Sequence, residues 1–150
     1  MLYARPATLF AARFIGTPPM NTLVLADSPA GAVIRDTDGP PLLRHPGAGL
    51  VLGVRPEAVV LGAERGLPGR VESVEFLGAD SLVTCALGSE RLVARVPGRA
   101  ETPPGTSARL SWRAADVHLF AAADGRRRDD LAPLVAGGGQ PLPIAICQRH

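Results

Sequence analysis

Glycine and proline interrupt the apolar residues of this sequence at short intervals. The chain contains 17 glycines and 15 prolines among 150 residues. Proline removes a backbone donor and breaks a helix interior, and glycine weakens one. The apolar segments that remain are too short for long helices but suit strands joined by turns. Because 46% of the residues are hydrophobic, the chain can still build a core, and the sequence predicts an all-β domain.

Nine short segments have the composition of half-buried strands. In the clearest of them, Leu92, Ala94 and Val96 alternate with Arg91 and Arg95. This alternation is typical of an antiparallel strand with one face on the core and the other in solvent. The predicted strands are 22–26, 31–35, 50–54, 58–61, 69–77, 81–87, 91–96, 107–113 and 116–120.

The apolar phase shifts within the longest of these segments. Val71 occupies an odd position, whereas Val74 and Phe76 occupy even ones, which predicts a β-bulge or strong bend between them. Residues 107–113 show no shift, and Trp112 there shares the inward phase. Bent strands that recur about every ten residues are typical of small closed sheets. We therefore predict an OB-fold-like small antiparallel barrel.

The two ends of the chain do not follow the strand pattern. Residues 6–15 place Phe10 and Phe14 one helical turn apart ahead of Gly16, which predicts a short N-terminal helix with an aromatic face. After Gly125, a charge block, a glycine triplet and several prolines predict a flexible tail. The predicted division is 1–16, 17–124 and 125–150.

Composition argues against catalysis by this chain. All 16 basic residues are arginine, so the chain has no lysine for a Walker A loop or a Schiff base. Cys85 and Cys147 lie far apart, and His45, His118 and His150 are scattered without metal-ligand spacing. The sequence therefore predicts a protein that is not an enzyme and holds neither a cofactor nor a metal.

Two further classes of partner are not supported by the sequence. Aromatic residues make up only 4% of the chain, and acidic residues accompany the arginines, so the stacking and basic groove that bind single-stranded nucleic acid are not predicted. No apolar run approaches the roughly 18 residues of a membrane helix, and the first residues lack a signal-peptide pattern. These features predict a cytoplasmic protein.

Five motifs in order resemble one known family. The series is similar to the C-terminal part of the ATP-binding subunits of carbohydrate ABC importers, of the maltose and sn-glycerol-3-phosphate type. The phrase LVARVPG leans toward the glycerol-phosphate branch. The motifs are LYARPATLFAARFIGTPPMN (2–21), LGVRPEAVVL (52–61), GRVESVEFLGADSLVTCALG (69–88), RLVARVPG (91–98) and SWRAADVHLFAAADGRR (111–127).

The resemblance implies a role in regulation. Residues 1–16 resemble the last helix of the ATPase domain, and 17–124 resemble the transport-associated OB (TOBE) domain that two subunits bring into contact. The implied partners are a second copy of the chain, the ATPase domain, permease subunits reached through it, and a regulatory protein. ATP and magnesium belong to the parent subunit, which lies at the inner face of the inner membrane and imports a sugar or glycerol phosphate.

The family motifs also indicate which residues have a structural or regulatory role. Where the family usually has histidine after Arg-Pro-Glu, this sequence has Ala58, so that side chain has no counterpart here. The Walker A, signature and Walker B motifs have no counterpart in the sequence either. The matching residues are Arg55, Pro56, Glu57, Gly78, Asp80, His118 and Phe120.

A second hypothesis comes from another functional class. The same barrel would also suit a stand-alone module that binds a small ligand such as an oxyanion. The helix predicted at 6–15 favours the importer subunit, because a free ligand binder does not need it.

Overall fold

The computed structural model describes residues 6–14, 16, 18–37, 39–62 and 66–134. All pairings between its named strands are antiparallel, which confirms the all-β prediction. In these residues the elements are α1 (Leu9–Phe14), β1 (Asn21–Ser28), β2 (Gly31–Ile34), β3 (Leu50–Val54), the 3-10 helix η1 (Pro56–Ala58), β4 (Val60–Leu61), β5 (Leu67–Phe76), β6 (Asp80–Leu87), β7 (Glu90–Pro97), β8 (Ser107–Ser111), the 3-10 helix η2 (Ala114–Asp116) and β9 (His118–Ala121).

Two sheets curve around one core to form a nearly closed barrel. Their strand orders are β2-β1-β3-β9 and β4-β8-β5-β6-β7. Where β1 of the first sheet passes β7 of the second, side chains take the place of a backbone ladder. The amide of Asn21 bonds to the backbone of Val93, and the carboxylate of Glu90 accepts from the backbone N–H of Val24. This closure confirms the OB-fold-like barrel prediction.

The predicted bulge lies in β5. Its register with β6 shifts between Val71 and Ser73, so Glu72 is the extra residue. Because of that extra residue, Val71 pairs with buried Cys85 and Val74 pairs with buried Val83. The bulge therefore keeps apolar side chains on the inner face on both sides of the phase shift.

The core fills the barrel with aliphatic side chains and one indole. Trp112 is only 2% exposed and packs with Leu110, which confirms its predicted inward phase. The loop between β2 and β3 also contributes, because Leu42 and Leu43 are buried and bond to the backbone of Ala32. Composition alone did not indicate that this loop is part of the core.

An internal repeat relates two parts of the barrel. Strand β3 leads through η1 into β4, and β8 leads through η2 into β9, with similar backbone angles at the arginines that precede each 3-10 helix. The predicted strands 58–61 and 116–120 therefore begin later, after a 3-10 turn. The strands of one repeat pair with those of the other, β3 with β9 and β4 with β8. The two ladders have equivalent registers. In one, Val60 pairs with Ser111 and Leu61 with Leu110, and in the other Gly53 pairs with His118 and Leu52 with Leu119.

Helix α1 is shorter than predicted. It begins at Leu9 rather than near Pro6, because the hydroxyl of Thr8 accepts a hydrogen bond from the backbone N–H of Ala11 and caps the first turn. Leu9 and Ala12 pack into a separate small cluster of buried residues on the barrel. The other members of this cluster are Met20, Val51 and Phe120.

The first residues of the segment predicted as a tail contact the rest of the structure. Residues 125–128 bond to α1 and to β9, and Leu134 is buried and donates to the carbonyl of Leu42. Backbone groups of this segment find partners on the barrel although its composition is polar, which periodicity did not reveal. Residues 135–150 lie outside the described residues.

Candidate regulatory surface

Metal-ligating side chains do not cluster among the described residues. Within them, no group of three or more histidine, cysteine, aspartate or glutamate side chains is close enough to hold a metal ion. Cys85 lies in the core, where burial, together with the nearby charge of Glu72, raises the pKa of its thiol. A raised pKa favours the protonated thiol, which is a poor nucleophile. In the same part of the chain no helix meets the length and hydropathy that crossing a membrane requires.

The Arg55–Glu57 turn forms the first candidate position. Arg55 has extended backbone angles and precedes η1, and Pro56 is buried at the first position of that helix. The backbone N–H groups of Ala58 and Val59 donate to the carbonyls of Arg55 and Pro56 over 2.9 and 3.3 Å. The carboxylate of Glu57 is exposed. The turn thus presents one acidic side chain on a rigid backbone.

An equivalent turn follows β8 and was missed in the sequence. Arg113 precedes η2, and its Nε and Nη2 donate to the two carboxylate oxygens of Asp116 over 2.9 and 3.1 Å. The sequence does contain a signal for this second turn. Both VRPEAV and WRAADV begin with an apolar residue and an arginine, followed three positions after the arginine by a small or acidic residue and four positions after it by a valine. The barrel therefore presents two turns of similar geometry.

The β5–β6 hairpin carries Gly78 and Asp80. Gly78 has φ of 104°, a backbone conformation that residues with a side chain rarely adopt. The carboxylate of Asp80 accepts from Nε of Arg95 on β7 over 2.8 Å. Asp80 therefore ties the hairpin to its neighbouring strand, and its role in this structure is an ion pair across the sheet.

Ser81 anchors the loop after β7 and was not predicted. Its side chain is fully buried, donates to the carbonyl of Gly98 over 2.7 Å and accepts from the N–H of Ala100 over 2.9 Å. In that loop the Arg99 guanidinium lies over the Phe76 ring, 4.0 Å from its centre. This end of the barrel thus has an ordered loop beside an exposed aromatic ring.

His118 and Phe120 lie on β9 beneath the segment that follows it. His118 is 8% exposed, and its Nδ1 lies 3.1 Å from Nη1 of Arg127. The same guanidinium lies over the Phe120 ring at 5.6 Å from its centre. Both predicted residues therefore belong to one buried contact. The sequence analysis did not predict Arg127, the third residue of this contact, because the composition of its segment predicted a flexible tail.

The seven predicted residues do not form a single pocket. Arg55, Pro56 and Glu57 lie beside η1, Gly78 and Asp80 at the β5–β6 hairpin, and the last two on β9. Two open clefts lie elsewhere, with volumes of about 490 and 650 Å³. None of the seven residues lines either cleft. The seven residues therefore lie on separate parts of the barrel.

Several apolar side chains of the described residues are exposed to solvent. On α1, Phe10 and Phe14 are 72% and 69% exposed, with ring centres 4.8 Å apart. The opposite face of this helix is buried on the barrel. On the barrel itself, Val60 and Leu77 are also exposed. The predicted aromatic face of the helix is thus confirmed, and the barrel has exposed apolar side chains of its own.

Comparison with known proteins identifies a domain type and a set of relatives. Residues 52–120 match the family model described as a TOBE domain. The chain is 35% identical over 136 residues to the sn-glycerol-3-phosphate import ATP-binding protein UgpC of Salmonella choleraesuis, covering 84% of this chain and 38% of that protein. The proteins of the same name from Brucella abortus and Chromobacterium violaceum are each 36% identical, over 86% and 87% of this chain and 37% and 38% of their own length.

The chain therefore spans a little over a third of the length of these curated relatives. Among solved structures, the cytoplasmic molybdate-binding protein ModG with molybdate bound is 20% identical to this chain. Its TM-score is 0.48, with 67% of this chain and 91% of that chain covered.

Proposed function

We propose, from the premise that residues 52–120 belong to the TOBE domain family, that this chain is a regulatory and dimerisation module of an ABC importer. A TOBE domain is non-catalytic, and the relatives are ATP-binding proteins of sn-glycerol-3-phosphate importers. In this proposal residues 1–16 end an ATPase domain and 17–124 form the regulatory domain. Arg55, Pro56, Glu57, Gly78, Asp80, His118 and Phe120 maintain the shape of its surface.

The observation that carries the proposal is the two-faced helix α1. Its inner face is buried on the barrel through Leu9 and Ala12, while Phe10 and Phe14 remain exposed on the other side. Two adjacent exposed aromatic rings are costly in water and typically mark a contact with another domain or chain. A helix joined to the barrel on one side and to an ATPase domain on the other would transmit movement between them.

The partners follow from the same premise. A second copy of the chain meets the barrel, the ATPase domain meets α1, and permease subunits are reached through that domain. A regulatory protein that binds one arrangement of the barrels more tightly would shift the equilibrium between open and closed ATPase dimers. The imported solute is a sugar or glycerol phosphate, and the module works in the cytoplasm beside the inner membrane.

Sedimentation equilibrium tests the dimerisation part of the proposal. Tethering two ATPase domains raises the effective concentration to roughly the millimolar range, so a weak barrel contact suffices in the parent. The isolated chain should be monomeric at low micromolar concentration and partly dimeric near millimolar. Leu77→Asp and Val60→Asp change exposed barrel residues and should reduce this association.

The double variant Phe10→Ser, Phe14→Ser separates the barrel contact from association through the helix. It leaves Leu9 and Ala12 in place, so the barrel cluster stays covered. Association that persists in this variant supports the barrel contact, whereas association that disappears assigns it to the aromatic face.

One observation favours the ligand-binding alternative. The residues that line the larger cleft include Thr102, Thr106, Ser107 and Arg109, whose side chains are of types that can donate to an oxyanion. Arg109, however, donates from Nη1 to the carbonyl of Gly66 over 3.0 Å, and the cleft is wide and open. Calorimetric titration with molybdate and with phosphate tests it, and the importer proposal predicts no saturable heat at micromolar concentration.

A further inference from the structure

Arg127 lies where three parts of the chain meet. Its Nη1 donates to the carbonyl of Pro6 over 2.9 Å and contacts Nδ1 of His118 at 3.1 Å. Its Nε and Nη2 both face the carboxylate of Asp129, at 3.1 and 3.0 Å. The Arg127 side chain is only 13% exposed. One largely buried guanidinium thus joins the residues before α1, strand β9 and the segment after it.

Backbone bonds place this segment between α1 and the barrel. The N–H of Leu9 donates to the carbonyl of Gly125 over 2.8 Å, and Thr8 forms a β-bridge with Arg126. On the other side, the N–H of Arg128 donates to the carbonyl of Leu119 over 2.7 Å. The start of the helix is therefore held to β9 through the 125–128 segment.

The chemistry of the two side chains fixes the protonation state of His118. A guanidinium has only donors, so Nδ1 of His118 must accept the hydrogen bond from Arg127. His118 is then neutral, with its proton on Nε2. Adding a proton to Nδ1 removes the acceptor and places a second positive charge against the guanidinium. Protonation of this histidine and closure of the contact therefore exclude each other.

Several charged side chains of the described residues lie near the contact. Strand β3, which pairs Gly53 with His118, carries no ionisable side chain. Helix α1 carries Arg13, which is directed to the hydroxyl of Thr22. Near the ends of β9, Asp116 pairs with Arg113 and Asp130 pairs with Arg128. Asp129 is the acidic group on Arg127 itself, and it is more than half exposed.

We propose that Arg127 and His118 form a proton-sensitive latch that fixes the start of helix α1 on the barrel. With neutral His118 the latch is closed, and the 125–128 segment holds α1. When His118 gains a proton, Arg127 loses Nδ1 of His118 as an acceptor and meets a second positive charge, and the bonds from Leu9 and Arg128 open more often. Because only the open arrangement accepts the proton, stability of the closed arrangement is present above the ordinary histidine value of about 6.5 and is lost as pH falls through the range below it.

Hydrogen–deuterium exchange of the full chain at about pH 8 and about pH 5.5 tests the latch on both sides of that value. The rates are divided by the intrinsic rate at each pH, and the amides of β6 report global unfolding. We expect protection of the Leu9 and Arg128 amides to fall by up to about tenfold at the lower pH, because a histidine with the ordinary value of about 6.5 in the open arrangement is mostly protonated there. Protection of β6 should remain unchanged.

Three variants identify the group that carries the proton. His118→Gln retains an acceptor for Arg127 but does not titrate, so its Leu9 protection should be high at both pH values. Arg127→Gln should lower that protection at both. His45→Gln changes a histidine whose Nδ1 lies beside the carbonyl of Pro46, and it should behave as the unchanged chain does.

Several outcomes would overturn the latch. One is protection of Leu9 in the unchanged chain that does not depend on pH, and another is an equal loss in His118→Gln. A loss abolished by His45→Gln would assign the proton elsewhere. If His118→Gln does not fold, nitrogen NMR of the unchanged chain decides, because the latch requires the proton of neutral His118 on Nε2 and the other tautomer contradicts it.

Discussion

The side-chain amide of Asn21 pairs with the backbone of Val93 in both directions. Nδ2 donates to the carbonyl of Val93, and Oδ1 accepts from its N–H, each over 2.8 Å. The amide occupies the place that a neighbouring strand would take beside β7. Val93 therefore has both backbone groups satisfied at the point where the two sheets meet without a ladder.

Replacing Asn21 with alanine should destabilise the barrel at this join. Val93 would keep a donor and an acceptor without partners, so the free energy of unfolding should fall by about 2 kcal/mol. Urea unfolding followed by circular dichroism measures the change. Thr22→Ala is the matched control, because Thr22 is half-buried and makes a long bond of 3.4 Å with Arg13, and it should cost less than about 0.5 kcal/mol. Equal costs for the two variants would show that the Asn21 side chain does not stabilise the join between the sheets.

Trp112 offers a second test, because its indole N–H is buried. Among the described residues nothing accepts a hydrogen bond from Nε1 of Trp112. Trp112→Ala should cost about 3 to 5 kcal/mol of unfolding free energy through the lost packing. Trp112→Phe should cost clearly less, since it retains a ring and removes an unsatisfied donor. Chemical unfolding that gives the two variants equal costs would contradict the packing role of the ring.

Two glycines with left-handed backbone differ in the space around them. A Cβ added at Gly88, with φ of 59°, would lie 2.5 Å from the carbonyl oxygen of Arg35, whereas one added at Gly98, with φ of 74°, would meet nothing within 4 Å. Both alanine variants should cost backbone strain of about 1 kcal/mol, and Gly88→Ala should cost more through the clash. Thermal unfolding should place its midpoint below that of Gly98→Ala, and the reverse order would contradict the geometry.

The Arg128–Asp130 pair predicts a titration rather than a stability effect. A hydrogen bond from Arg128 lowers the pKa of the Asp130 carboxyl to about 2. Because this pKa is depressed, the pair is present above the ordinary aspartate value and is lost as pH falls toward 2. Carbon NMR of the carboxyl should show that low midpoint, and Arg128→Gln or high salt should raise it. A midpoint that neither change moves would assign the shift to another cause.

Features set by neighbouring residues could be predicted from the sequence. The change of phase between Val71 and Val74 predicted a bulge, because side chains alternate strictly along a strand. The burial of Trp112 followed from the same alternation. Each of these depends on a few consecutive residues, which is the range over which a pattern can be read.

Contacts between distant polar residues could not be predicted in this way. Asn21 and Val93 are 72 residues apart, and Arg127 and Pro6 are 121 apart. Such bonds leave no periodic signal, since one side chain meets one backbone group. The sequence therefore predicted the arginine-rich segment as part of a tail, although Arg127 is largely buried on β9. The resemblance pointed to His118 and Phe120 but not to this partner.

A chimeric importer tests the central proposal most directly. The part of the Chromobacterium violaceum relative that precedes its similarity to this chain is joined to the full chain and expressed in cells that lack their own ATP-binding subunit. Uptake of labelled glycerol 3-phosphate is measured beside the upstream part alone and beside a chimera carrying Asn21→Ala. We expect the chimera to restore uptake well above the upstream part alone, with the Asn21 variant less effective. A folded, membrane-associated chimera whose uptake does not exceed that of the upstream part alone would contradict the assignment of this chain as an importer regulatory module.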